Sequence, residues 1–338
     1  MIRHAEQLLH AIRSIQAEIR DTVVAACERT ALEQLAAAVA EEGGDTIFAI
    51  DRVSEEVLLE RFGLLAEQWP MVLIAEGLGS TGWVTLPHGL APEAAEIRVI
   101  VDPIDGTRGL MYQKRPAWVL TGVAPNRGEA TSLADIELAV MTEIPLVKQH
   151  LSDVLWAQRG QGAHAERFNR LDRSTQPFVP QPTRSTTIKQ GFGAISRFFP
   201  GGRDILAAVD DALVEELLGP PTTGRVLAFE DQYISTGGQL YELIVGHDRW
   251  VADLRPHLEI ALARRGRSLG LCCHPYDLCT ELVAREVGVI VSDAYGQPLN
   301  APLDVETGVA WVAYANQALH DSIAPALQRA MQAYGMLE

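Results

Sequence analysis

The run Ile97-Arg98-Val99-Ile100-Val101 leads directly into Asp102-Pro103-Ile104-Asp105-Gly106-Thr107, and this junction restricts the possible folds more than any other segment. The apolar run reads as a buried strand, so it must lie inside a sheet covered by other layers. The Pro and the Asp-Gly pair break the strand and make a tight turn. Asp102 and Asp105 therefore stand at the mouth of a buried strand, where two carboxylates can aim at one point. Hard divalent cations such as Mg²⁺ take clustered oxygen ligands of this kind. The exposed N–H groups of the turn can hold a phosphate. Together these features point to metal-assisted phosphoryl chemistry. Taken alone, the two acids read equally well as turn residues, since Asp-Gly is a common turn pair.

The surrounding composition narrows the classes. With 338 residues the chain can bury a substantial core in one large or two small domains. It is 47% hydrophobic and 21% charged, as a soluble globular protein is, and no apolar stretch reaches the ~20 residues of a membrane span. The first residues, Met1-Ile2-Arg3-His4-Ala5-Glu6, carry no signal-peptide apolar region. A net charge of −16 argues against a nucleic-acid partner and against an anionic substrate unless bound cations relieve the conflict. Four cysteines, with Cys272 and Cys273 adjacent and Cys279 nearby, form no disulfide framework, which suggests a reducing, cytoplasmic compartment. Cys272, Cys273, His274 and Cys279 match no usual zinc spacing and read as small core side chains.

Along the chain, Ala, Leu, Ile and Val recur at three- and four-residue spacing over 4–42, a helix that Gly43-Gly44 would stop. A second amphipathic helix follows Asp51, over 53–62. Apolar runs at 71–75, 97–101, 117–123, 136–142 and 153–157 read as strands. Several are joined by turns too short for a helix, which favours an antiparallel or mixed sheet. Residues 165–202, with four prolines, many Ser and Thr, and Phe198-Phe199, read as an irregular excursion packed near the site. Helices are expected at about 203–218, 237–246 and 277–287, then strands at 288–292 and 308–314, and a closing helix at 317–334. The expected organisation is one catalytic unit with three parts. These are an N-terminal α+β half over 1–165 that carries the acidic motifs, an irregular insertion and helix over 166–230, and a C-terminal α/β half over 231–338.

The segment Asp102–Thr107 matches at all six positions the central motif of the inositol monophosphatase-like phosphatases, the Mg²⁺-dependent, lithium-sensitive type within the fructose-1,6-bisphosphatase superfamily, which the chain resembles. Three further landmarks stand in the same order: Asp51, Glu76 at the end of Val72-Leu73-Ile74-Ala75, and Asp277 in Pro275-Tyr276-Asp277-Leu278. The resemblance covers roughly 45–165 and 230–315. It implies an α/β (α+β) fold, a five-layered αβαβα sandwich with the site between its halves, and a homodimer. It also implies a phosphomonoesterase using two or three Mg²⁺ ions and acting on a small phosphorylated metabolite such as a sugar, polyol or nucleotide-derived phosphate. The rival expectation is a metal- or ligand-binding relative that has lost turnover.

By the same resemblance, one metal would lie on Glu76, Asp102 and the Ile104 carbonyl, and a second on Asp102, Asp105 and Asp277. Thr107 and Glu76 would orient and deprotonate water. Asp51 would bond to Thr107 or help hold a third metal. The Gly106 and Thr107 N–H groups would hold the phosphate, with Asp105, Arg108 and Asp277 also facing substrate. Asp51 and Asp277 each precede an expected helix and read equally as N-caps.

The sequence departs from the family around this core. Gly77 stands where a second acid is usual, Arg108-Gly109 replaces Thr-Asn or Ser-Asn, and Tyr276-Asp277-Leu278-Cys279 replaces Trp-Asp-x-x. Gly270 occupies the place of a sugar-gripping Glu, so myo-inositol phosphate is not the expected substrate. Arg108, Lys114 and Arg115 form a small basic group suited to a second anion on the substrate, or to a solvated loop. Ser235-Thr236-Gly237-Gly238-Gln239 opens a helix and reads either as a site for substrate hydroxyls or as a cap.

Overall fold

The computed structural model describes residues 2–29, 38–42, 45–78 and 81–337, with the backbone alone over 38–42 and 45–56. An eight-stranded sheet dominates it, in the order β10-β9-β8-β7-β6-β5-β3-β4. The strands are β3 (Met71–Ile74), β4 (Trp83–Leu86), β5 (Ile97–Asp105), β6 (Ala117–Pro125), β7 (Leu138–Ile144), β8 (Leu151–Gln158), β9 (Ala163–Asn169) and β10 (Thr175–Phe178). Every neighbouring pair is antiparallel except β3 and β5, which run parallel. The sheet is therefore mixed, as the short connections require.

Its two faces are both buried, which is why the central strands are apolar at nearly every position. On β5, Ile97, Val99 and Val101 point to one core and Ile100 to the other. The first core is closed by α1 (Ala5–Arg29) and α2 (Ala49–Leu65). Helix α1 buries Leu8, Ile12, Ile15, Ile19 and Val23 along one stripe. It also buries Gln16, which satisfies both ends of its amide against the sheet. Its Nε2 donates to Thr121 Oγ1 at 2.8 Å and to the Val140 carbonyl at 3.0 Å, and its Oε1 accepts from Thr142 at 2.7 Å.

The other core is covered by α5 (Thr236–Ile244), α7 (Pro275–Leu278) and α8 (Glu281–Glu286). Beyond them lies a four-stranded sheet, in the order β11-β12-β14-β13, built from β11 (Phe192–Ile195), β12 (Asp248–Asp253), β13 (Ile290–Ser292) and β14 (Trp311–Tyr314). Helices α4 (Arg203–Leu218) and α9 (Gln317–Ala333) form the last layer, and a short α6 (Glu259–Ala263) follows β12. The order helix, sheet, helix, sheet, helix is the five-layered αβαβα sandwich expected from the sequence.

Some elements differ from expectation. The helix expected over 4–42 ends at Arg29, and Ala38–Glu42 is instead strand β1, paired antiparallel with β2 (Asp45–Phe48). Its Ala- and Glu-rich composition favours helix, and strand pairing overrides that weak preference. The intervening 30–37 and the Gly43-Gly44 stop lie outside the described residues. Helix α2 begins at Ala49, so Asp51 sits inside its first turn rather than capping it, and the Asp51 side chain lies outside the description. The excursion expected over 165–202 contains the end of β9, β10 and β11. These are short edge or near-edge strands, and their polar outward positions hid them. The single helix expected at 277–287 is two, α7 and α8, broken at Cys279-Thr280.

A candidate metal-binding active site

The site forms where the carboxyl ends of the parallel pair β3 and β5 meet the layer of α5 and α7. The last paired residues are Ile74 and Ile100, both on the inner core. Two positions further along each strand stand Glu76 and Asp102, so register alone brings these acids out together.

A bulge in β5 then adds Asp105. Asp102 pairs with Leu120 and Asp105 with Trp118, so three steps on β5 match two on β6. Leu120 and Trp118 face the same side of the sheet. In a regular strand residues three apart point to opposite faces. The one-residue bulge at Pro103-Ile104 instead turns Asp105 to the face of Asp102. Pro103 fits there because a bulge leaves one residue out of the ladder.

Gly106 then adopts φ 96°, the left-handed region. A Cβ there would stand 3.0 Å from Ser235 Cβ and 3.1 Å from the Ile234 carbonyl, so glycine serves both the turn and the close approach of α5. Thr107 begins the short α3 (Thr107–Met111), and its hydroxyl donates to the Ile104 carbonyl at 2.8 Å.

Asp105 is held by the start of α5. Its Oδ2 accepts from Ser235 Oγ at 2.8 Å and from the Gly237 N–H at 2.6 Å, and its Oδ1 accepts from the Thr236 N–H at 3.2 Å. Ser235 Oγ in turn accepts from the Gly238 N–H at 2.8 Å, capping the helix. Gly237 is required, because a Cβ would fall 2.6 Å from Leu120 and 3.0 Å from Asp105 Oδ2.

Asp277 arrives from the other half of the chain. It lies within the first turn of α7 rather than ahead of it, and accepts from the His274 N–H at 2.6 Å. One carboxylate oxygen each from Asp102, Asp105 and Asp277 lie within 4.8 Å of one another.

Three carboxylates so close are electrostatically expensive without a cation. Burial, then Asp105 and Asp277, push the Asp102 carboxyl well above the usual range, against one N–H bond from Ile104. Burial pushes Asp105 up to about 6 despite its three hydrogen bonds. Asp277 is likewise pushed well up, by burial and then by Asp105. A bound divalent cation would reverse each of these penalties, and an all-oxygen donor set suits Mg²⁺. The residues present thus fit the metal that the resemblance implies.

Together these acids edge a cavity of about 140 Å³, which Glu76, Gly106, Thr107 and Arg108 also line. Its far wall is Phe198-Phe199, with Arg255, Leu271, Cys272 and Tyr276. Lys114 and Arg115 do not line it. Arg115 is ion-paired to Asp231 and lies 5.2 Å from the Tyr233 ring centroid, so of the expected basic group only Arg108 reaches the site. The Ser235–Gln239 segment adjoins the acids, but its side chains are engaged internally. Gln239 Nε2 donates to Ser196 Oγ at 2.9 Å, and Ser235 serves Asp105. Cys272, Cys273 and Cys279 are buried free thiols, and burial pushes Cys272 up to about 11.

Sequence reasoning passed over Arg255. It is buried with Asp253, its Nε donating to Asp253 Oδ1 at 2.9 Å, while its NH1 donates to the Leu271 carbonyl at 2.8 Å. The signal was Asp253-Leu254-Arg255 directly after the apolar strand Trp250-Val251-Ala252, since a charged pair at a strand end marks either a surface or a site.

The architecture is a layered αβαβα sandwich with a buried acid cluster between its sheets. No protein-family model and no curated protein sequence matches the chain. Solved structures do match along nearly its whole length. It is similar to fructose-1,6-bisphosphatase of Leishmania major in holo form, at 13% identity, with 97% of this chain and 96% of that one covered and a TM-score of 0.68. It is similar to the extragenic suppressor protein SuhB of Bartonella henselae at 14% identity, with 96% and 99% covered and a TM-score of 0.65. It is also similar to the inositol monophosphatase of Thermotoga maritima at 14% identity, with 98% and 100% covered and a TM-score of 0.60. The chain has the fold that these structures share.

Proposed function

We propose that the chain is a Mg²⁺-dependent phosphomonoesterase that hydrolyses a small phosphorylated metabolite. The observation that carries this reading is the convergence of Asp102, Asp105 and Asp277 within 4.8 Å at the mouth of β5, beside the Thr107 turn. Phosphate monoester hydrolysis is among the slowest uncatalysed reactions, and clustered carboxylates holding divalent cations are its usual solution. When bound, Mg²⁺ supplies an acidified water and positive charge for the phosphoryl oxygens.

The chain's own groups do the rest. Asp102, Asp105 and Asp277 would hold the cations, with Glu76 and the Ile104 carbonyl as further ligands. The Thr107 hydroxyl, which donates to Ile104, would accept one hydrogen of the attacking water and orient it, and the Glu76 carboxylate would take the other. The Gly106 and Thr107 amides hold the phosphate, and Arg108 faces the remainder of the substrate. Asp51, from α2, belongs to the same reading as a partner of Thr107 or a further cation ligand. Assembly as a homodimer and a cytoplasmic setting complete it, both resting on the family resemblance and on the reduced cysteines.

Phosphate release from a panel of phosphorylated metabolites, with Mg²⁺ and with chelator, tests the reading. Mg²⁺-dependent turnover that Asp102→Asn abolishes is the expected result. Activity of Asp102→Asn within tenfold of wild type at saturating Mg²⁺ would remove Asp102 from the metal site. Mg²⁺ binding without turnover of any ester would favour a binding protein on the same fold.

A further inference from the structure

Several polar side chains beside and behind the cavity are engaged within the protein. Ser235 donates to Asp105 and accepts from Gly238, Gln239 donates to Ser196, and Asp253 is bound to Arg255. Arg255 is itself divided between Asp253 and the Leu271 carbonyl. Three aromatic side chains, Phe198, Phe199 and Tyr276, line the cavity together with Arg255. Phe198 and Phe199 meet edge to face, with centroids 4.9 Å apart and planes at 87°.

This aromatic step is fixed in place. Arg203, the first residue of α4, donates through Nε to the Phe199 carbonyl at 2.9 Å and through its other end to the Phe198 carbonyl. The Arg255 guanidinium lies 4.7 Å from the Phe198 centroid and 5.1 Å from that of Phe199, and Arg108 lies 5.5 Å from Phe199. A phenyl ring already facing a guanidinium has its negative face potential partly offset. It repels a further cation and suits an apolar or electron-rich planar group. Gly270, beside the lining residue Leu271, adds no side chain there.

We infer that Phe198 and Phe199 are specificity-determining residues that select phosphate monoesters whose alcohol carries an aromatic or heteroaromatic ring over esters of polyols. The inference rests on the phosphatase reading for the identity of the scissile group, and on the cavity wall alone for the ring.

The test compares benzyl phosphate with glycerol 2-phosphate, both esters of ordinary alcohols, by kcat/KM at saturating Mg²⁺. Binding of benzylphosphonate and of a glycerol-derived phosphonate to the Mg²⁺-loaded protein is measured by calorimetry alongside. Wild type should prefer the benzyl compound at least tenfold in both measurements. Phe198→Leu and Phe199→Leu should each shrink the preference several-fold while keeping the wild-type circular dichroism. Wild-type preference at or below parity overturns the inference, as does a preference unchanged in both Leu variants. If either variant fails to fold, the wild-type ratio and the other variant decide. Selective binding of benzylphosphonate with no hydrolysis of either ester supports the ring-binding wall and refutes the phosphatase reading.

Discussion

On the phosphatase reading, the Thr107 side chain serves catalysis and not substrate binding. Its hydroxyl proton is directed at the Ile104 carbonyl, so its oxygen is oriented as an acceptor beside the acids. A group that only orients water should appear in kcat and not in KM. Thr107→Ala is expected to lower kcat by about 100-fold or more, the scale for misplacing a reacting group, with KM changed less than threefold. Steady-state kinetics with saturating Mg²⁺ measure both, and a change in KM alone would move Thr107 into the substrate-binding group. At this scale the acids were legible because strand ends and turns leave strong local marks. Asp102 and Asp105 sit in a Pro-and-Gly-interrupted turn, and Glu76 ends an apolar run. Arg255 and the engagement of Ser235 were not legible, since both depend on partners distant in sequence, Leu271 and Asp105.

Among the elements, the outer strands of the large sheet carry a polar cluster that sets a pH dependence. Glu143 on β7 is buried, with Oε1 accepting from Gln149 Nε2 at 2.8 Å and Oε2 from the Asp153 N–H at 3.0 Å. Arg167 on β9 forks onto the Asp153 carboxylate with two bonds of 2.7 Å, and Tyr241 on α5 donates to it at 2.7 Å. Burial, against those two hydrogen bonds, pushes the Glu143 carboxyl up to about 7. An unfolded Glu titrates near ~4.3. The folded state therefore holds a proton that the unfolded state has lost. The resulting stability is present below the unfolded value and disappears as pH rises through about 7. Its size is about 3 kcal/mol.

Glu143→Gln removes the titration but turns an NH₂ toward one of the two donors. The variant should be less stable than wild type at pH 5, and the gap should close or reverse by pH 8. Urea melts of both proteins at the two values check this, and a gap independent of pH would show that Glu143 is ionised in the fold throughout. Element reading from sequence succeeded for the central strands, whose apolar runs are continuous because both faces are buried. It failed where one face is open, on β9, β10 and β11, and where pairing made a strand of the helix-prone Ala38–Glu42.

For the whole molecule, the same bound charge that would serve catalysis should also stabilise the fold. The net charge is −16, and three mutually repelling carboxylates lie where the two halves meet. A cation bound only by the folded state adds about 2.7 kcal/mol at 100 times its Kd. Scanning calorimetry should therefore show Tm rising by several degrees on Mg²⁺ addition, and the rise should be absent in Asp102→Asn. An equal rise in both proteins would place the stabilising cation elsewhere. The element pattern suggested layered α/β halves and the family resemblance supplied the five-layer order, while the packing of the Phe198 segment near the acids, expected from its irregular composition, arises because the second sheet folds back over the first. That folding back has a consequence for synthesis. Asp277 follows Asp105 by the greater part of the chain, across the whole second sheet's first strands. A nascent chain still on the ribosome can complete the large sheet and display Asp102 and Asp105, yet it lacks the third carboxylate until α7 emerges. The three-carboxylate cluster is thus incomplete in any chain that stops short of α7, and the order of the residues along the chain delays its assembly.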